Sequence, residues 1–311
     1  MLRLARLSRR RVLAIGAAAA GGLTATAANA VRARAQAPED NTRYAGYSPQ
    51  DMAKPYAHFM AARTAPPQPG VVDAYAKPAT PAEQIPDFST LVTELSPTGY
   101  SPVETGYGQT NSGTVWVAVR TEMPRVTAAM WDWWFGWHIV ESARYKLWHP
   151  DAHMFSEAAV DNTDRPLPDR AKYIDNVSYV DEYIGPKLQQ LAIAFRDPVS
   201  YGFTFPDEHT MILARVGSSV APVDLGWLAH QVRPVPGGCE MRSRFYLEVY
   251  GTRTPDLSHS ARAVARGAAI DIRDLIPGLD LARDLMLHCG QEMNHLAQFL
   301  PELYNEFHSG T

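Results

Sequence analysis

The sequence predicts an α+β fold in which an antiparallel sheet wraps around one long C-terminal helix. Strand-like runs rich in β-branched and aromatic residues follow one another between residues 177 and 251, with turn residues between most of them. Successive strands without intervening helices indicate antiparallel pairing. Residues 281–303 have apolar side chains at helical spacing. Together these patterns predict a helix-grip arrangement with an N-terminal arm.

The composition is that of a globular protein. The chain of 311 residues is long enough for one large domain or two small ones, with 46% hydrophobic and 20% charged residues. The formal net charge of -4 gives no indication of nucleic-acid binding. The two cysteines, Cys239 and Cys289, allow at most one disulfide, and the sequence does not decide whether they pair.

The first 37 residues have the features of a signal peptide. Residues 8–13 place paired arginines before an alanine-rich stretch that ends near Ala30, which is the twin-arginine arrangement. The stretch is too short and too weakly apolar for a stable transmembrane helix. We expect cleavage after Ala35 or Ala37 and a periplasmic or secreted protein, with a basic membrane anchor as the alternative.

Residues 38–101 are rich in proline and alanine, and we interpret them as an arm or small subdomain before a main domain at 102–311. A short helix is predicted from Pro49 to about Arg63, with Ser48 as its N-cap and Asp51 in its first turn.

The main domain begins with a predicted strand at 113–120. A helix follows from Pro124 to Trp148; it carries five of the seven tryptophans, and Pro150 ends it. The tryptophans indicate either core packing or a substrate wall. The later strands are predicted at residues 177–184, 191–196, 201–205, 211–216, 225–235 and 241–251.

The final helix has three polar side chains on its apolar face, namely His288, Glu292 and His295. An unpaired carboxylate buried there would cost several kcal/mol, so these groups need partners. His288 and Glu292 are four residues apart, which is the helical spacing of two metal ligands. The alternatives are a solvated His–Glu pair and, for His295, a group that supports the ligands or a further ligand.

Other elements must complete a metal site. Glu182 shares its strand face with apolar residues and is expected to point inward, whereas Asp181 is expected on the outside. His149 and His153 flank a proline in a predicted loop, and either has a suitable side chain. Two histidines and two carboxylates suit zinc, and manganese or ferrous iron accepts the same donors. His230, between apolar neighbours on its strand face, is either a core histidine or a pocket residue.

Four runs carry a more specific signal: residues 133–138 (WWFGWH), 141–153 (ESARYKLWHPDAH), 180–185 (VDEYIG) and 288–293 (HCGQEM). In combination they resemble the diacetylphloroglucinol hydrolase family, which includes phloretin hydrolase, from about Ser101 to the C-terminus. The resemblance implies a helix-grip fold of the START/Bet v 1 type with a zinc site. It also implies hydrolysis of the carbon–carbon bond between an acyl group and a phenolic, phloroglucinol-type ring.

The resemblance implies roles for individual residues as well. Four residues match the metal ligands of the family: His153, Glu182, His288 and Glu292. Tyr145 matches a substrate-contacting tyrosine, and His230 and Tyr246 fall where the family has a pocket histidine and tyrosine. These three are the catalytic candidates. The family also leads us to expect an amide side chain three residues after His153, where this chain has Ser156.

These roles predict a zinc-dependent enzyme in which the metal activates water and polarises a carbonyl, Tyr145 or His230 donates a hydrogen bond, and His230 transfers protons. The expected partner is a small aromatic acyl-phenol, with no nucleic acid and no stable membrane span, and we expect a homodimer. One alternative is another metal-dependent ester or diketone hydrolase on the same scaffold. The other is a non-enzymatic periplasmic binder of aromatic or apolar ligands.

Overall fold

The computed structural model describes residues 46–252, 256–266 and 276–308. The predicted signal peptide and its expected cleavage sites lie outside these ranges. Within the described ranges, no helix is both long enough and apolar enough to cross a membrane.

The α-helices of these ranges are α1 (Pro49–Met52), α2 (Pro69–Tyr75), α3 (Leu91–Glu94), α4 (Ala128–His138), α5 (Ser142–Trp148), α6 (Asp169–Tyr173), α7 (Leu257–Ala265), α8 (Leu279–Ala297) and α9 (Leu300–Phe307). Short 3-10 helices occur at Ala57–Phe59, Ala82–Gln84, Phe88–Thr90 and Pro198–Tyr201. The predicted cap of α1 is confirmed, because Asp51 N donates to Ser48 Oγ (3.1 Å) and Ser48 N donates back to Asp51 Oδ2 (2.8 Å). The helix ends at Met52, earlier than predicted.

The strands are β1 (Gly106–Gln109), β2 (Val115–Pro124), β3 (His153–Ala158), β4 (Val177–Ile184), β5 (Lys187–Arg196), β6 (Thr210–Ser218), β7 (Asp224–Val235) and β8 (Gly238–Gly251). They form one eight-stranded antiparallel sheet with the order β1-β2-β8-β7-β6-β5-β4-β3. Consecutive strands therefore pair with each other, except β2 and β3: β2 pairs with β8, and β3 lies at the far edge of the sheet.

Two strand predictions need correction. Residues 201–205 are not a strand, because Pro198–Tyr201 form a 3-10 helix that ends at Gly202 in a left-handed conformation (φ 92°). His153 is not in a loop but is the first residue of β3, where it pairs with Glu182 of β4. The proline that suggested a loop lies just before this strand.

The tryptophan-rich segment folds as two helices instead of the single predicted one. Pro124 ends β2, and α4 begins after Thr127, whose hydroxyl accepts a hydrogen bond from Met130 N (3.4 Å). A break between His138 and Ser142 separates α4 from α5. All five tryptophans of the segment are buried in the core, which favours the packing interpretation: Trp131, Trp133, Trp134, Trp137 and Trp148.

The two sides of the sheet are covered by different parts of the chain. We call the side that bears Val117, Glu182 and His230 the helix side, because the apolar residues of α8 pack there. We call the side that bears Trp116 and Tyr246 the arm side. Apolar residues from the N-terminal segment complete the arm-side cluster: Ile85, Leu91 and Leu95.

The predicted final helix at 281–303 is confirmed as helical but is divided into α8 and α9. Gly290, in the middle of α8, has a packing role, because a Cβ there would lie 2.7 Å from Cγ2 of Val71. Val71 belongs to α2. The N-terminal segment therefore crosses α8 at Gly290, the only glycine among the described residues of that helix. Cys239 and Cys289 are both buried and free.

A buried ion network joins the N-terminal segment to the arm side of β8. Arg244 Nε donates to Glu94 Oε1 (2.5 Å), and Arg242 and Arg244 both donate to Glu104, at 2.7 and 2.9 Å. Burial acts to raise the pKa of Glu104, but the two guanidinium groups outweigh burial and lower the pKa to about 2. The network therefore stabilises the ionised carboxylate.

This pKa predicts acid-sensitive stability. Because the folded-state pKa of Glu104 lies below its ordinary value of 4.5, its contribution is present above pH 4.5 and is lost as the pH falls toward 2. We expect the urea midpoint of unfolding to fall over this window more steeply for the wild type than for Glu104→Gln. Equal slopes for the two proteins would contradict the role of Glu104.

Candidate metal centre

Two imidazoles and two carboxylates meet on the helix side of the sheet. His288 and Glu292 come from α8, Glu182 from β4 and His153 from the start of β3. All four are at least nine-tenths buried. The β3–β4 register places His153 opposite Glu182, and the helical spacing places His288 beside Glu292. The structure thus brings together the four residues that were predicted as metal ligands.

The donor atoms are close to one another. His153 Nε2 lies 3.4 Å from His288 Nε2, 3.4 Å from Glu182 Oε2 and 3.5 Å from Glu292 Oε2. His288 Nε2 lies 3.5 Å from Glu182 Oε2 and 3.8 Å from Glu292 Oε2. Atoms bound tetrahedrally to zinc at about 2.1 Å are separated by about 3.4 Å. His153, Glu182 and His288 therefore form a group that fits a zinc-sized cation, and Glu292 lies beside both histidines.

The tautomer of His153 suits metal binding. Its Nδ1 donates a hydrogen bond to the carbonyl oxygen of Tyr145 (2.9 Å), so Nε2 is left to face the cluster. The ring of Tyr145 stacks on the imidazole of His153, with centroids 3.7 Å apart and an interplanar angle of 4°. These contacts fix the position and rotation of the ligand.

The two buried carboxylates of the cluster favour a positive charge beside them. Burial lowers the pKa of His153, but hydrogen bonds and charge from Glu182 and Glu292 outweigh it and raise the pKa to about 9. Burial raises the pKa of Glu182, but hydrogen bonds from His153 and His288 outweigh it and hold the pKa well below its ordinary value. The pKa of Glu292 is raised, chiefly by burial. A divalent cation would satisfy both carboxylates at once.

Tyr145 lies beside the donors. Its hydroxyl donates to Glu182 Oε2 at 2.5 Å, and its ring also stacks on His138, at 5.9 Å between centroids. Burial, followed by the charge of Glu182, raises the pKa of Tyr145 well above its ordinary value. The phenol is therefore protonated and available as a hydrogen-bond donor.

His230 lies on the same side of the sheet. Its Nδ1 is 2.8 Å from Ser243 Oγ, and its ring lies among aromatic groups, 5.6 Å from Phe245 and 6.3 Å from Phe135. Burial lowers the pKa of His230 to about 3, so the ring is neutral near pH 7. Ser243 was not identified from the sequence. Its place opposite His230 becomes clear only from the pairing register of β7 and β8.

The prediction of Tyr246 as a catalytic residue is not supported by the structure. Its side chain lies on the arm side, where its hydroxyl donates to Glu94 Oε2 (3.0 Å). The neighbouring Phe245 has the inward position next to His230. Successive residues of a strand point to opposite sides of a sheet. Tyr246 directly follows the inward Phe245, so it points away from the cluster.

Two further histidines, His149 and His295, connect this region to the N-terminal segment. His149 stacks on His288 at 4.6 Å, and its Nδ1 lies 2.8 Å from Thr64 Oγ1. His295 accepts a hydrogen bond at Nδ1 from Ala65 N (3.0 Å), which ties α8 to the N-terminal segment. The contributions of Thr64 and Ala65 were missed, since nothing in a proline-rich segment indicates which buried groups it contacts.

Two further expectations have structural outcomes. Asp181 points to the outer side of β4, as predicted, but it is buried because Arg266 bonds to it, through Nε at 2.7 Å. Ser156, where an amide was expected, is not in the cluster. Its hydroxyl donates to the carbonyl oxygen of Ile139 (2.9 Å) and so connects β3 to the break between α4 and α5.

Comparisons with known proteins identify the family of this chain. Residues 85–305 match the family described as the DAPG hydrolase PhiG domain. A 2,4-diacetylphloroglucinol hydrolase of Pseudomonas sp is 30% identical over 66% of this chain and 71% of its own. The protein of the same name from Pseudomonas protegens is 27% identical over 82% and 85% of the two chains. A phloretin hydrolase of Eubacterium ramulus is 30% identical over 65% and 71%.

Among solved structures, that of Ara h 8.0201 covers 57% of this chain and 99% of its own, with 9% identity and a TM-score of 0.27, which is too low to support an inference. The family match confirms the predicted enzyme, a hydrolase acting on carbon–carbon bonds in ketonic substances, and argues against a non-enzymatic binder. The chain belongs to the family of the DAPG hydrolase PhiG domain.

Proposed function

We propose that this protein is a zinc-dependent hydrolase that cleaves the carbon–carbon bond between an acyl group and a phloroglucinol-type ring. The observation that carries the proposal is the convergence of His153, Glu182, His288 and Glu292 in a buried cluster with zinc-like donor spacing. The names of the relatives, which are hydrolases of diacetylphloroglucinol and phloretin, support the substrate class.

The proposed reaction consumes one water molecule. The acyl carbon gains a hydroxyl group and leaves as a carboxylic acid, while the ring carbon that carried the acyl group gains a hydrogen. Zinc, when bound, would supply Lewis acidity, which lowers the pKa of water and polarises the acyl carbonyl. Manganese and ferrous iron take the same N and O donors and are the alternative metals.

The side chains around the ligands supply hydrogen bonds and proton transfer. Tyr145 remains protonated and donates toward the cluster, so it is suited to hold the developing negative charge on the carbonyl oxygen. His230 begins neutral, because burial lowers its pKa, and would hold a proton only while negative charge develops on the substrate beside it. Ser243 orients that ring through its bond to Nδ1.

The predictions of the fold type and of export belong to the same proposal. Packing of α8 across the helix side of an antiparallel sheet supports a helix-grip fold. We retain export through the twin-arginine signal, with zinc taken up by the folded protein before it crosses the membrane, as a prediction about residues 1–37.

Metal analysis combined with a substrate screen tests the function. We expect about one zinc per chain in the purified protein and release of a carboxylic acid from acylphloroglucinols. Chelation should abolish that release and added zinc should restore it. Turnover that is insensitive to chelation would contradict the metal dependence. Hydrolysis of esters or diketones without hydrolysis of acylphloroglucinols would favour the alternative substrate classes.

A matched pair of tyrosine variants tests the catalytic assignment. Tyr145→Phe removes the hydroxyl that contacts Glu182 and should lower kcat by about 10²-fold or more with zinc content retained. Tyr246→Phe removes the hydroxyl on the arm side and should leave kcat within about twofold of wild type, because that hydroxyl donates to Glu94 on the side of the sheet opposite the cluster. The reverse order of effects would show that our placement of these side chains is wrong.

A further inference from the structure

We propose that the acyl group of the natural substrate is a hydrocarbon chain of several carbons, held in an aliphatic cavity next to Glu182. The inference rests on the proposed function and narrows its substrate class. It predicts that the affinity for a substrate or product depends on the length of its acyl chain.

The cavity lies between α8 and the helix side of the sheet. Among the described residues that line it, only Glu182 and Gln189 have polar side chains. Its walls are mainly aliphatic, with Leu191, Val216, Leu225, Leu228, Leu247 and Leu285. Leu285 is three residues before His288, so it occupies the same face of α8 one turn from the ligand. The cavity therefore begins at the metal cluster and extends from it along apolar surface.

Such a cavity is suited to the acyl chain and not to the ring. A phloroglucinol ring has several hydroxyl groups, and burying hydroxyls without hydrogen-bond partners is unfavourable. The polar groups that could receive those hydroxyls, Tyr145 beside Glu182 and His230 with Ser243, lie on the helix side of the sheet but do not line the cavity. With the carbonyl at the metal cluster, the alkyl chain would therefore occupy the aliphatic side.

Binding of product acids tests the inference without turnover. Calorimetric titration of the zinc-loaded protein with acetate, butyrate, hexanoate and octanoate should show affinity rising about three- to fourfold for each added methylene, until the cavity is filled. An affinity that is flat or falls from acetate onward would overturn the inference. Acid release from acylphloroglucinols, measured on the same samples, tests the proposed function separately, since its absence contradicts the function whatever the affinities are.

Two cavity variants and a matched control sharpen the test. Val216→Phe fills the cavity and should weaken hexanoate binding at least tenfold while acetate binding changes little. Leu228→Ala enlarges it and should shift the optimum toward longer acids. Leu213→Ala makes the same change as Leu228→Ala on the arm side and should leave the length profile unchanged. Parallel loss of affinity for all acids in Val216→Phe, or an altered profile in Leu213→Ala, would overturn the assignment.

Discussion

Replacing Glu292 with alanine is expected to leave the protein folded but without bound metal and without hydrolase activity. The substitution removes one of four donors from a buried cluster in which Glu292 Oε2 lies 3.5 Å from His153 Nε2. We expect zinc content to fall from about one per chain to near zero, and acid release to fall by at least about 10³-fold, because the metal supplies the main activation of water. Metal analysis of the dialysed protein and circular dichroism are the measurements.

Glu302→Ala is the matched control. Glu302 is also a glutamate of the C-terminal helices, but its side chain is half exposed and pairs with Arg125 at the surface. We expect zinc content and turnover equal to those of the wild type. If Glu292→Ala retained full zinc and full turnover, the assignment of the four ligands would have to be abandoned.

The second large effect is expected for Arg244→Met. Arg244 is fully buried and donates to Glu94 and Glu104, so its removal takes a guanidinium partner from Glu94 and leaves Glu104 with that of Arg242 in place of two. Breaking a buried ion network in this way costs about 3–5 kcal/mol of unfolding free energy. Urea unfolding measured at constant pH gives this difference directly.

Arg120→Met is the comparison on the same side of the sheet. The side chain of Arg120 is 35% exposed and pairs with the exposed Glu122, and its more distant pair with the buried Glu240 (3.8 Å) is duplicated by Arg233, so we expect a loss of about 1 kcal/mol. Zinc content should be unchanged in both variants, because Arg120 and Arg244 lie on the arm side and the ligands lie on the helix side. Similar stability losses in the two variants would contradict the importance of the buried network.

The predictions that succeeded depend on short-range periodicity. The strand Val177–Ile184 was predicted with its observed ends, and alternation within it correctly separated Glu182 from Asp181. The position of His288 beside Glu292 on α8 followed from the four-residue helical repeat, and their role as metal ligands stays a prediction. Such patterns depend on neighbours in the sequence, which is why they are readable without coordinates.

The predictions that failed depend on contacts between distant segments. The strand face that bears Arg244 and Tyr246 has a polar sequence, yet it is buried, because the carboxylates of Glu94 and Glu104 come from the N-terminal segment. No periodicity in the sequence of β8 indicates that the N-terminal segment covers this face. Assigning the inward position to Phe245 and not to Tyr246 likewise requires the register of β8 with its neighbours.

We expect the hydrogen bonds from Thr64 and Ala65 to set a minimum length for a functional fragment of this protein. The family match begins at residue 85 and the predicted main domain at 102, yet these two residues hold His149 and His295, and His149 stacks on the ligand His288. A truncated gene that starts at either boundary would encode the four proposed metal ligands but not the residues that bond to His149 and His295. A chimera that exchanges the main domain with a relative must therefore carry its own N-terminal segment with it.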